Sequence, residues 1–144
     1  MSKKPFVSKE KLDEIAAQYA TPFYLYDEAA IRETARRVNK VFAWNQGFKE
    51  YFAVKATPNP AILKILHEEG CGADCSSYTE LQMADAVGFK GDEIMFSSNA
   101  TPAEDFQLAR QLNVTINLDD ITHIDFLEEA IGHIPETISC RYNP

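Results

Sequence analysis

The chain has 144 residues, with 14 Lys+Arg against 22 Asp+Glu and a formal net charge of −8. Apolar residues make up 45% and charged residues 25%, a globular balance that excludes general disorder, and the length suits one domain with a real core. A chain this acidic lacks the basic footprint that phosphodiester backbones require, which argues against a nucleic-acid binder.

The first twelve residues carry lysines but no apolar h-region, so they do not read as a signal peptide. The hydrophobic runs, such as Phe23–Tyr26 and Tyr51–Val54, are far too short for a membrane span. Cys71, Cys75 and Cys140 are odd in number and lack C-x-x-C spacing, and His67, His123 and His133 form no ligand pattern with them. No metal site is expected, and reduced thiols in a cytoplasmic protein are the economical reading.

Ser8 is placed to cap a helix through Tyr19, with Leu12, Ile15, Ala16 and Tyr19 on its apolar face. Pro22–Tyr26 reads as a strand, and a second helix runs from about Glu28 to Phe42. A regular beat follows. Five β-type segments, Glu50–Ala56, Gly72–Ser76, Glu93–Ser98, Val114–Asp119 and Thr137–Tyr142, end roughly every 20 to 23 residues, with a helical segment in each gap. Asn59-Pro60 opens the first of these helices and Gly70 closes it. Ser77-Tyr78-Thr79-Glu80 fits a capping box, with Gly88 as the stop, and Thr101-Pro102-Ala103-Glu104 fits the same box. Asp120 is expected to cap the fourth, with Ile121, Ile124, Leu127 and Ile131 on one face.

This is the rhythm of βα units in an α/β fold. No G-x-G-x-x-G or P-loop follows a strand, and the even spacing favours a (β/α)8 barrel over a doubly wound sheet. Five strands cannot close such a barrel, so a partial TIM-type barrel is expected, preceded by a helix–strand–helix segment.

Chemistry in such folds gathers at the C-terminal ends of the strands. Those ends carry Lys55, then Asp74 with Ser76 and Ser77, then Ser97-Ser98-Asn99, then Asp119-Asp120, then Arg141. Ser77, Thr101 and Asp120 read as caps rather than site residues. Lys55 closes an apolar strand, where partial desolvation would lower its pKa and leave free amine to attack a carbonyl. A solvated lysine, or one paired with Asp74, has the same spacing. Period-2 alternation sets Asp74 on the face opposite Ala73 and Cys75. Arg141 suits an anionic oxygen, and an ion pair with Asp119 or Asp74 would look the same.

With these residues in place, Tyr51-Phe52-Ala53-Val54-Lys55-Ala56 followed by Asn59 resembles the lysine strand of the alanine-racemase-like, fold-type III decarboxylases. Gly72-Ala73-Asp74-Cys75-Ser76-Ser77 with Thr79-Glu80 resembles their second-strand motif, and the Arg141 strand resembles their fifth. Thr21-Pro22-Phe23-Tyr24-Leu25-Tyr26-Asp27 is similar to the opening of the diaminopimelate decarboxylases within that group. The resemblance implies pyridoxal 5'-phosphate (PLP) as cofactor and conversion of meso-2,6-diaminopimelate to L-lysine and CO2, in a cytoplasmic homodimer. Lys55 would be the Schiff-base lysine, Asp74 would sit near and tune it, and Arg141 would bond near the PLP phenolic oxygen; Glu80 is ambiguous between site and cap. Residues 1–27 would pack with a separate β-domain, and 28–144 would form the first part of the PLP-binding barrel. Thr57-Pro58-Asn59-Pro60 departs from relatives that have no prolines there. The rest of the cofactor grip would lie outside these residues, so the isolated chain is expected to be inactive and to self-associate or be marginally stable. Alternatives are an ornithine or arginine decarboxylase, a Schiff-base aldolase, and a non-catalytic barrel relative that binds a protein partner.

Overall fold

The computed structural model describes residues 4–142; positions 1–3 and 143–144, at the ends of the two expected segments, lie outside it. Two helices lead, α1 Lys9–Gln18 and α2 Glu28–Val41. Five strands follow: β1 Tyr51–Ala53, β2 Gly72–Cys75, β3 Ile94–Phe96, β4 Thr115–Leu118 and β5 Ser139–Cys140. Helices α3 Pro60–Glu68, α4 Tyr78–Val87, α5 Ala103–Gln111 and α6 His123–Ile131 join them. The sheet order is β1-β2-β3-β4-β5, and every pair is parallel.

That order never reverses. Right-handed crossovers running always in one direction put all the connecting helices on one face, which is the layout of a growing barrel and not of a doubly wound sheet. The helix-facing side chains, Ala73, Cys75, Ile94, Phe96, Ile116 and Leu118, are buried with Leu63, Leu81, Phe106 and Leu127 in one core. The other face presents Asp74, Met95, Ser97, Asn117 and Ser139, the alternate residues of the same strands. Where a barrel interior is usually filled by branched apolar side chains, this face is mostly polar, with Met95 and Ala53 set among the polar residues.

Local chemistry sets most helix starts. Ser8 accepts from Lys11 N, Asp27 from Ala30 N, and Asn59 from Ala61 N with Pro60 at the first helical position. Gly70 and Gly88 take positive φ at the expected stops. Two starts differ. The box at Thr101 does not form: Pro102 occupies the N-cap position without a side-chain bond, and the buried Thr101 hydroxyl has no partner among the described residues. Asp120 turns back on Thr122, accepting from its N at 2.9 Å and from its Oγ1 at 2.7 Å, so α6 starts later, after Thr122. Ile121 therefore falls outside the helix and stands 80% exposed instead of joining its apolar face.

The strand expected at Pro22–Tyr26 is also absent. The segment has no ladder partner among the described residues, and a strand exists only by pairing. Helix α1 buries no residue, leaving Leu12 and Tyr19 exposed. No helix of the described residues is long and apolar enough to cross a membrane.

Candidate active site

The expected first strand was to run through Ala56, but β1 stops at Ala53, and Val54–Ala56 forms a 3₁₀ turn closed by Thr57 N on Val54 O at 3.1 Å. Pro58 keeps Thr57 out of the helical region, at φ −152° and ψ 82°, and Pro60 starts α3, so the chain must turn between strand and helix within a few residues. Val54 is fully buried, which anchors the turn, while Lys55 points outward and is exposed. The expected desolvation of Lys55 is not provided by these residues. Nor is it paired: no ion pair to Lys55 occurs among the described residues.

Asp74 lies where alternation puts it, opposite the buried Ala73 and Cys75, in register with Ala53 on β1 and Met95 on β3. Its carboxylate accepts from the Ser97 hydroxyl on the next strand end. Further across the same face, Ser139 Oγ donates to Asn117 Oδ1 at 2.8 Å. At the rim, Arg141 Nη1 stands 2.8 Å from Asp119 Oδ1, off the axis of its N–H, so that oxygen lacks an aligned hydrogen bond. The ion pair left open from sequence is thus the one with Asp119. Lys55 lies just past β1 and Asp74 near the end of the neighbouring β2, whereas Arg141 follows β5, four strand spacings or about 19 Å along the sheet from β1.

Glu80 is tied down, and not quite as the capping box prescribes. Ser77 Oγ accepts from Glu80 N at 3.4 Å, but Glu80 Oε2 returns to Ser76 N at 2.9 Å, one residue before the cap, and its carboxylate also takes the Ser76 and Ser77 hydroxyls. It serves the β2–α4 loop. Cys75 faces the core, and burial, with Glu80 and Asp74 nearby, pushes its thiol up to about 12, as befits a small hydrophobe. Sequence reasoning named Ser97 only as a rim residue and missed the Asn117–Ser139 pair. Matching polar residues at equal depth on adjacent strands was the available signal.

A family model described as "Pyridoxal-dependent decarboxylase, pyridoxal binding domain" matches residues 28–144. The chain belongs to this family. Protein TabA of Pseudomonas amygdali pv. tabaci is 44% identical over 133 residues, covering 92% of this chain and 30% of that protein. The diaminopimelate decarboxylase of Methanothermobacter thermautotrophicus is 37% identical over 134 residues, 91% of this chain and 31% of that protein. The chain thus spans about a third of the length of the curated relatives it matches. Among solved structures, Helicobacter pylori diaminopimelate decarboxylase complexed with L-lysine superposes with a TM-score of 0.72 at 30% identity, covering 83% of this chain and 30% of that one. Selenomonas ruminantium lysine decarboxylase gives a TM-score of 0.79 at 23% identity, over 90% and 33% of the two chains, a likeness of fold. The partial barrel and the cofactor read from the sequence are both met: the matched domain is one that binds pyridoxal.

The residues of this chain fit that cofactor. A primary amine at the rim, exposed and unpaired among the described residues, is the group an aldehyde requires, and a guanidinium at the far side of the sheet face has the donors that an anionic oxygen requires.

Proposed function

We propose that the intact protein containing this chain decarboxylates meso-2,6-diaminopimelate to L-lysine and CO2, acting as a cytoplasmic homodimer. The observation that carries the reading is the exposed Lys55 amine one turn beyond β1, at the rim of a sheet face whose neighbouring strand presents Asp74. Relatives named diaminopimelate decarboxylase, 30% to 37% identical over most of this chain, support the substrate. Three free cysteines suit a reducing compartment. Residues 1–27 are assigned to contacts with a separate β-domain, in keeping with the exposed Tyr24 and Tyr26, and 28–144 to the barrel.

When bound, PLP supplies an electron sink for the pair freed as CO2 departs. Lys55 would hold the cofactor through Nζ and would carry a proton at that atom. Asp74 presents a carboxylate oxygen to that proton-bearing nitrogen. Arg141, its charge balanced by Asp119, would donate to an anionic cofactor oxygen. Glu80 holds the loop between β2 and α4 and touches no reacting atom in this reading.

The test is a product assay of the intact protein with PLP and, separately, diaminopimelate, ornithine, arginine and lysine. L-Lysine from diaminopimelate alone is the expected result. Diamine or agmatine formation in its place would reassign the substrate, and no product from any of the four would overturn the reading.

A further inference from the structure

We infer that Ser97 is a positioning residue for Asp74, fixing which carboxylate oxygen faces Lys55; the inference rests on the decarboxylase reading above. Most polar side chains near the strand ends already have structural duties. Asn59 caps α3, Ser77 caps α4, Glu80 takes Ser76 N, and Asp120 turns onto Thr122. Ser97 has no such duty: α5 begins only at Ala103, behind Pro102. Its hydroxyl instead crosses to the next strand and donates to Asp74 Oδ1.

The donor is well anchored. Ser97 N donates to Cys75 O at 2.8 Å, continuing the β2–β3 ladder beyond the paired residues, so its Cα is fixed relative to β2. This is the one hydrogen bond made by the Asp74 side chain among the described residues. A strand carboxylate held by nothing else would rotate about χ1 and χ2; a hydroxyl on one oxygen selects one orientation and leaves Oδ2 as the accepting atom. Both residues are half-buried, where a hydrogen bond to a charged group is strengthened. Asp74 is in register with Ala53, two residues before Lys55, so the free oxygen belongs to the rim where the Lys55 amine works.

The experiment measures, on the intact protein freed of cofactor, the rate at which added PLP becomes fixed on Lys55 by borohydride. The amine nitrogen adds to the aldehyde carbon, water leaves, and hydride reduces the C=N bond; peptide mass mapping reads the product. Ser97→Ala is expected to slow Lys55 labelling about tenfold, and Ser97→Thr, which keeps the hydroxyl, to stay within about twofold of the parent. In an Asp74→Asn background, Ser97→Ala is expected to add no further loss. Parent-like labelling of Ser97→Ala, or losses that multiply in the double variant, would overturn the inference while leaving Lys55 as the PLP lysine. Failure of the parent itself to label at Lys55 would overturn the decarboxylase reading and this inference with it.

Discussion

At Gly72 an added Cβ would stand 2.6 Å from Tyr51 Cδ1 and 2.7 Å from the Glu93 carbonyl oxygen. Neither neighbour yields easily, because the Tyr51 hydroxyl is itself tied to Asp92 O at 2.6 Å and the carbonyl is backbone. Gly72→Ala is therefore expected to destabilise the domain by about 1–3 kcal/mol, read as a lower urea midpoint. The cysteines divide in the same residue-by-residue way. Cys75 is fully buried with its thiol pushed up, whereas Cys140 is exposed on the last strand. Iodoacetamide at neutral pH is expected to modify Cys140 and spare Cys75 in the folded protein, with mass mapping as the check; equal modification would contradict the placement of β2. The sequence carries the faces of Asp74 and Cys75, since alternation along a strand decides them. It could not pair Asp74 with Ser97, because a partner 23 residues away depends on strand register, which periodicity does not carry.

Helices α2 and α3 are clamped by charge. Arg36 holds Glu69 through Nε and Nη2, each at 2.6 Å, and Arg32 reaches Glu69 at 3.0 Å, Glu68 at 2.7 Å and Glu28 at 2.9 Å. The two guanidiniums hold the Glu69 carboxyl below its ordinary range. A depressed carboxylate contributes stability above its unfolded pKa and loses it as the pH falls through the folded value. Thermal stability is thus expected to fall as the pH drops through and below about 4, and Glu69→Gln is expected to flatten that acid limb; an unchanged limb would show that the clamp contributes nothing. Asn59→Ala, which removes the cap of α3, is expected to cost about 1 kcal/mol. Helix starts were legible wherever the cap is local, as at Ser8, Asn59 and Ser77. The failures at Thr101 and Asp120 have one cause: a short polar side chain near a helix start has competing local bonds or none, and its spacing alone does not choose among them.

On the scale of the whole molecule, the sheet ends in two free edges, since β1 and β5 each pair on one side only among the described residues. Beside β1, a groove of about 500 Å³ opens between α2 and α3, lined by Leu25, Ile31, Phe52, Ile62 and Cys71. Open parallel edges with apolar flanks favour pairing with another chain. The 144-residue chain studied alone is expected to show concentration-dependent association by sedimentation; a single monomeric species with a sharp melt would contradict this. The barrel-type layout was legible because the strands recur at even spacing, with a cap and a glycine stop marking α3 and α4 between them. The expected strand at Pro22–Tyr26 was not, because its existence depends on a partner that the local sequence does not contain.

The proposed function stands on the Lys55 amine as the attachment point of pyridoxal phosphate. It is tested most directly by reducing the intact protein with borohydride in the presence of PLP and mapping the modified peptide, with Lys55→Ala as control. Label concentrated on Lys55 and lost in the variant is the expected result. Label spread over surface lysines, unchanged by Lys55→Ala, would contradict it.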